Sequence, residues 1–197
     1  MGGARGSDAR AWWTLDAGAS LELIGEPLIA TGAATYEAST TIELGHHSRV
    51  VLSEITRVPA QARVTLRTSV RQAGRELFYD AVDAAAAAPA VVGTFAIVGI
   101  AAGAVAEIAD ALDTAAAAHN GLRLGVGLLT NGVFARALSE DVWTVRAALI
   151  ALHAAARPLL VDCGLGQNDP SPESASQCGQ LAPLSRGVRP PFARSGM

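Results

Sequence analysis

The sequence carries little charge, no basic surface and no long apolar run. Charged residues make up 17% of its 197 residues and the formal net charge is -3, which disfavours binding to nucleic-acid phosphates or to an anionic membrane. The most apolar stretch, residues 84–106, contains one proline and three glycines and lacks the roughly 20 uninterrupted apolar residues of a membrane span. Residues 1–10 have no apolar run behind them that would act as a secretory signal, so we expect a cytoplasmic protein.

Cysteine is scarce as well. The two cysteines are Cys163 and Cys178, and no histidine follows them at the spacing of a metal site. In a reducing compartment both are expected to be free thiols rather than a disulfide.

Signatures of catalysis are missing from the sequence. It has no G-x-S-x-G elbow, and the glycine-rich residues 125–132 lack the lysine of a phosphate-binding loop. The adjacent His46 and His47 point to opposite faces of any strand, so they cannot chelate one ion together, and we expect them on a turn surface. His119 and His153 are expected to be structural or solvated. The residues alone therefore do not predict an enzyme.

A weak internal repeat is present near the start of the patterned sequence. Apolar residues recur 29 positions apart with no gap, in two copies of strand, turn and strand: Trp13, Leu15, Leu21 and Leu23 in the first, and Ile42, Leu44, Val50 and Leu52 in the second. Each copy is too small to bury its apolar face alone, so the copies are expected to stack as β-hairpins.

Later segments continue the strand pattern and then change period. Residues 63–70 alternate polar and apolar side chains, and turns at residues 72–74 and at Asn131-Gly132 predict hairpins. Residues 91–100 predict a buried strand. Apolar residues spaced by three and four predict two amphipathic helices, at about 103–119 and 140–156, the second capped by Ser139 and ending before Pro158.

The sequence therefore predicts a mainly β protein of stacked β-hairpins or sheets, with two α-helices in the C-terminal half. Residues 12–160 form the single predicted domain. Residues 1–11 are predicted to be a disordered lead-in, and residues 161–197, rich in Gly, Pro and Ser, a disordered tail.

Two carboxylates are the candidate functional residues. Glu26, before Pro27, and Glu54 each end a strand of the repeated unit at comparable places. They are either solvated strand ends or the lining of one crevice, where weak oxygen ligation would pass a divalent cation along without trapping it.

The aromatic residues leave two interpretations open. They either pack in the core or form a surface for a partner protein. The residues concerned are Trp12, Trp13, Trp143, Phe78, Tyr79 and Phe134.

The order of the segments resembles the UreD family of urease accessory proteins, also called UreH, and its actinobacterial members in particular. The matching segments are collinear over residues 12–160. They are W-x-L-D-x-G-A-S-L-E-L-I-G-E-P-L-I at 13–29, GAATYEASTTIELGHHSRVVLSEITR at 32–57, RVTLRTSVRQAGRELFYD at 63–80 and GVGLLTNGVFARALSEDVWTVRAALIALHAAARPLL at 125–160.

The resemblance implies a β-helical-like stack and a non-catalytic role in urease maturation. Such a protein binds apo-urease and UreF, which recruits the GTPase UreG, and it passes nickel to the urease active site through an internal passage. Nickel would be held only transiently, and no permanent cofactor is implied.

The resemblance also bears on particular positions. Glu26 falls where family members often hold an acidic residue, and Glu54 falls at a glutamate that precedes a Gly-Arg pair, which reads Thr56-Arg57 here. Members of the family carry a further block of strands before the tryptophan at residue 13, so the resemblance implies a β-stack that is incomplete at its N-terminus. The alternatives are a non-functional truncated fragment and a β-sandwich enzyme with an unrecognised site.

Overall fold

The structure, a computed structural model, describes residues 6–31, 34–85, 91–119 and 121–165. The strands are β1 (Gly6–Leu15), β2 (Ser20–Ile24), β3 (Leu28–Ile29), β4 (Thr35–Leu44), β5 (Arg49–Arg57), β6 (Arg63–Gln72), β7 (Arg75–Ala85), β8 (Val91–Val98), β9 (Arg123–Leu129) and β10 (Gly132–Ser139). The helices are α1 (Ala102–Ala117) and α2 (Val142–Leu165). The prediction of a mainly β protein with two helices in its C-terminal half is confirmed.

The 29-residue repeat in the sequence corresponds to the pairing register of parallel strands. Strand β1 lies beside β4, and β2 lies beside β5, both in parallel. Repeated apolar residues 29 positions apart lie directly opposite each other, as Trp13 with Ile42, Leu15 with Leu44, Leu21 with Val50 and Leu23 with Leu52. Parallel stacking without a shift keeps every apolar residue of one copy over its counterpart in the next.

The pairing within each copy differs from the predicted hairpin. Strands β1 and β2 lie in different sheets and face each other, so each copy is an arch. The arch lets both strands turn their apolar side chains into one core between the sheets. The turns also stack, because the Gly45 N–H donates to the Leu15 carbonyl at 2.8 Å and the Gly18 N–H donates to the His46 carbonyl at 2.8 Å.

Two sheets result from this arrangement. Sheet A has the order β1-β4-β6-β7, and sheet B has the order β2-β5-β8-β10-β9, with β3 also beside β5. The pairs β6–β7 and β9–β10 are antiparallel hairpins. Their turns are Ala73-Gly74 and Thr130-Asn131. Both predicted hairpins are confirmed, but Gly132 is the first residue of β10 rather than part of the turn.

The described elements form three layers with an apolar core on each side of sheet B. The core between the sheets consists of Leu15, Ile42, Leu44, Val50, Leu52, Val70, Phe78, Ala96 and Val98. Helices α1 and α2 cover the other face of sheet B through a larger cluster that includes Phe95, Ile97, Ile108, Leu112, Val133, Leu149 and Leu152. A small cluster of Val58, Ala62 and Val64 lies near the other end of the sheets.

Helix α2 differs from its predicted bounds at both ends. Asp141, not Ser139, caps it, since the Asp141 carboxylate accepts the Thr144 N–H at 2.7 Å. The helix also continues through Pro158 to Leu165. Proline has no N–H to donate to the carbonyl of Ala154, but Pro158 and Ala154 are exposed, so water can donate to that carbonyl instead. Leu160, beyond the proline, is buried in the core.

The predicted ends of the domain also need adjustment. Residues 6–11 belong to β1, where they pair with β4, rather than to a lead-in. Residues 161–165 continue α2. The rest of the predicted tail, residues 166–197, lies outside the described residues, as do residues 1–5. Within the described residues, no helix is long and apolar enough to span a membrane.

Candidate functional site

A group of polar side chains lies between the two sheets, where the neighbouring inward-facing residues are apolar. On β5 the residues that face sheet A are Val50, Leu52 and then Glu54. Because side chains alternate along a strand, Glu54 points to the same interior as the two buried residues before it. Burial of a carboxylate is costly unless polar partners surround it.

The strand register brings those partners together in two facing rows. In sheet B, Glu54 on β5 lies opposite Thr94 on β8, and Thr94 lies opposite Arg136 on β10. In sheet A, Thr68 on β6 lies opposite Asp80 on β7. These five residues, here called the inter-sheet polar row, come from five different strands.

Contacts across the gap join the two sheets through this row. The Arg136 guanidinium forms an ion pair with the Asp80 carboxylate. The Thr94 hydroxyl donates to Asp80 Oδ2 at 3.4 Å, and the Thr68 hydroxyl donates to Glu54 Oε2 at 3.5 Å. One arginine therefore faces two carboxylates, and the row keeps one negative charge when both are ionised.

The environment of Glu54 favours its protonated form. Burial raises the pKa of the Glu54 carboxyl, and the nearby charge of Asp80 raises it further. The hydrogen bond from Thr68 and the charge of Arg136 lower the pKa of Glu54, but their effect is smaller. A cation beside Glu54 would stabilise the ionised form by replacing the lost hydration.

Two cavities adjoin the polar row on different sides. The larger, of about 460 Å³, is lined by Glu54 and by residues of β1, β4 and the segment before β3. The smaller, of about 270 Å³, is lined by Asp80, Glu76, Tyr79 and Phe134 among others. The polar row therefore extends from the wall of one cavity to the wall of the other.

The structure places Glu26 and Glu54 in the lining of the same cavity. They differ in exposure, because Glu54 is largely buried whereas the Glu26 side chain is 86% exposed. Glu26 Oε2 lies 3.9 Å from Arg146 Nη2 of α2. Glu26 thus lies at the solvent side of the cavity and Glu54 at its inner wall. Their role as nickel ligands stays a prediction.

Asp80 and Arg136 are the functional candidates that the sequence reasoning missed. Both could have been found from the sequence pattern, since each is a charged residue at a position of a strand whose neighbours on the same face are apolar. On β10 that face holds Phe134, Arg136 and Leu138. An inward-facing charge needs a partner of opposite sign, and Asp80 on β7 is that partner.

The histidine pair lies away from this row. His46 and His47 are exposed on the turn between β4 and β5, with ring centroids 3.9 Å apart, as the turn-surface interpretation predicts. Among the described residues, no three His, Cys, Asp or Glu side chains are grouped so that they could hold a metal ion together.

The aromatic residues divide between the two interpretations. Phe78 is buried and packs near Phe134, with ring centroids 6.3 Å apart. Trp12, Trp13 and Trp143 are exposed by 66%, 43% and 69%, so core packing is wrong for the tryptophans.

Comparison with known proteins assigns the chain to a family. A family model described as UreD urease accessory protein matches residues 4–168, a range that holds every strand and helix named above. No curated protein matches the chain at a significant level. The match spans most of the sequence and agrees with the order of its segments. The chain belongs to the UreD family of urease accessory proteins.

Proposed function

We propose that the chain is a scaffold of urease maturation that bridges apo-urease and UreF, recruits UreG through UreF, and passes nickel toward the urease active site along the inter-sheet polar row. Membership of the UreD family supports the accessory role and a non-catalytic protein. The observation that carries the nickel step is the position of the row, which reaches from the cavity lined by Glu26 and Glu54 to the cavity lined by Asp80.

The chemistry of the row suits transfer better than storage. Nickel accepts oxygen ligands but binds nitrogen and sulfur ligands more tightly, so carboxylates and hydroxyls hold it weakly. Arg136 neutralises one of the two inner carboxylates, which lowers the attraction for a divalent cation further. Glu26 at the solvent side would meet the ion first, and Glu54 and Asp80 would follow.

The bridging role is tested by co-purification. A tagged chain is expressed together with the urease subunits, UreF and UreG, and the bound proteins are identified by mass spectrometry. The proposal expects UreF and the urease subunits in the eluate, and UreG only when UreF is present. Recovery of neither UreF nor urease would end this part of the proposal.

The nickel step is tested separately by variants that keep side-chain size. Glu54→Gln and Asp80→Asn are expected to lower the nickel content and the activity of co-expressed urease while UreF is still recovered with the chain. Glu37→Gln on the exposed face of β4 is the matched control, because it removes a carboxylate outside the row. Normal nickel content with both row variants would exclude this path.

A further inference from the structure

The turn between β4 and β5 carries two imidazole rings in contact with each other. The ring centroids of His46 and His47 are 3.9 Å apart, and the ring planes meet at 69°. Both side chains are exposed. The ring nitrogens of both residues can therefore be reached by an ion from solution.

The alternation of side chains along a strand, which separates neighbouring residues, does not apply in this turn. Strand β4 ends at Leu44 and β5 begins at Arg49, so both histidines lie outside the strands. His47 has a φ of 57°, in the left-handed region that residues other than glycine seldom adopt. With this backbone the two rings lie beside each other instead of on opposite faces. The geometric reason against joint chelation is thus absent from the folded protein.

The backbone beneath the two rings is held from both sides. The Gly18 N–H of the preceding turn donates to the His46 carbonyl at 2.8 Å. On the other side, the Gln72 side-chain amide donates to the Gly45 carbonyl at 2.8 Å, and the Ser48 hydroxyl donates to the same carbonyl at 2.9 Å. A turn fixed in this way loses little conformational freedom when its side chains bind a ligand.

We propose that His46 and His47 together bind one divalent metal ion of the late first row, through one ring nitrogen each. Imidazole is a favoured ligand of Ni²⁺, Cu²⁺ and Zn²⁺, whereas Mg²⁺ favours oxygen. Among the described residues no third His, Cys, Asp or Glu joins the pair, so water or a group of another molecule completes the coordination. The inference does not rest on the passage of nickel along the inter-sheet polar row.

Nickel titration of the purified full chain, followed by calorimetry, tests the site. The chain carries Cys163→Ser and Cys178→Ser, because thiolates also bind nickel. His46→Gln and His47→Asn are each expected to weaken Ni²⁺ binding roughly tenfold or more, since two linked ligands are reduced to one. Asparagine tolerates the left-handed backbone at position 47, and circular dichroism checks that both variants fold. His119→Gln is the matched control, because it removes an imidazole outside the pair.

Nuclear magnetic resonance locates the ion. Paramagnetic Ni²⁺, added below one equivalent, is expected to broaden the ring signals of His46 and His47 before those of His119 and His153. An excess of Mg²⁺ should not displace it. Wild-type protein without saturable nickel binding, or pair variants that bind no more weakly than the His119→Gln control, would overturn the proposal. Binding that is lost in Glu54→Gln but kept in both pair variants would also overturn it, while leaving the proposed nickel path intact.

Discussion

The Arg136 guanidinium on β10 contacts the Asp80 carboxylate on β7, and this ion pair links sheet B to sheet A between their apolar clusters. The two side chains are 27% and 14% exposed, so water screens them little. Glu54 is close enough for the charge of Asp80 to act on it. Arg136 is therefore the cation that offsets two carboxylates of the polar row.

Replacing Arg136 by methionine is expected to destabilise the fold. Arg136→Met leaves Asp80 without its cation beside a second buried carboxylate, which should lower the free energy of unfolding by about 2 kcal/mol, since loss of one partner strands a buried charge. Urea denaturation at neutral pH measures the change.

The control for this change is an arginine of an exposed pair. Arg63 Nη2 lies 2.9 Å from Asp83 Oδ2, and both side chains are more than half exposed. Arg63→Met should therefore cost much less than Arg136→Met, because solvent already screens that pair. Equal losses in the two variants would contradict the idea that Arg136 balances a buried charge.

Glu54→Gln is expected to raise the free energy of unfolding near neutral pH. The pKa of Glu54 in the folded protein is raised above the ordinary value of 4.5, chiefly by burial. The folded state therefore holds this proton more tightly than the unfolded chain does. That contribution is complete below the ordinary pKa and is lost as the pH rises through the raised pKa.

Glutamine does not ionise, so the Glu54→Gln variant does not lose stability when the pH rises through the raised pKa of Glu54. Its stability relative to the wild type should increase as the pH rises above the ordinary glutamate pKa of 4.5, as measured by urea denaturation at several pH values. Glu37→Gln, on the exposed face of β4, should show no such trend. A wild type that remains more stable than Glu54→Gln at every pH would contradict the expected sign.

Contacts between residues close together in the sequence, or related by its repeat, could be predicted for this protein, whereas contacts between residues far apart in the sequence could not. The ladder of β1 with β4 was readable because an unbroken 29-residue repeat is also a register, and the Asn131-Gly132 hairpin was readable because its turn is local. Local patterns do not say which sheets face each other. The pairing within each copy was therefore predicted wrongly, and Asp80 was not connected with Arg136, which lies 56 residues away.

The candidate site shows the same limit. The places of Glu26 and Glu54 after repeated strands left two interpretations open, solvated strand ends or one shared crevice, and the structure brings both residues to the lining of one cavity. The unequal exposure of the two carboxylates depends on the strands that cover Glu54. The prediction that α2 ends before Pro158 was wrong because it considered only the local effect of proline. Buried residues on the core side of α2 stabilise the helix beyond that position.

Arg49 is expected to stabilise the contact between the C-terminal part of α2 and the parallel strands β2 and β5. Its Nε donates to the Ser20 hydroxyl on β2 at 2.8 Å, and its Nη1 donates to the Leu160 carbonyl on α2 at 2.5 Å. Arg49→Met should lower the free energy of unfolding by about 1–2 kcal/mol, because two bonds from a charged donor are lost. Hydrogen exchange should show faster opening of the last turns of α2 than of β8, and equal changes in both would argue against a local attachment.

Gly45 is expected to be indispensable for the stacked turns. A Cβ at this position would lie 2.6 Å from the Ala17 nitrogen and 2.7 Å from the Leu15 oxygen, both backbone atoms that cannot move without breaking the ladder. Gly45→Ala should therefore lower the free energy of unfolding by about 2–3 kcal/mol.

Gly103→Ala is the matched control, because a Cβ there meets open space within α1. It should raise stability by about 0.5–1 kcal/mol, since alanine favours a helix and restricts the unfolded chain. Urea denaturation of both variants measures the contrast. If both substitutions changed the free energy of unfolding in the same direction, the close approach of the turns would not limit the residue at position 45. Changes of opposite sign are expected because, of these two glycines, Gly45 lies against the backbone of the preceding copy and Gly103 does not.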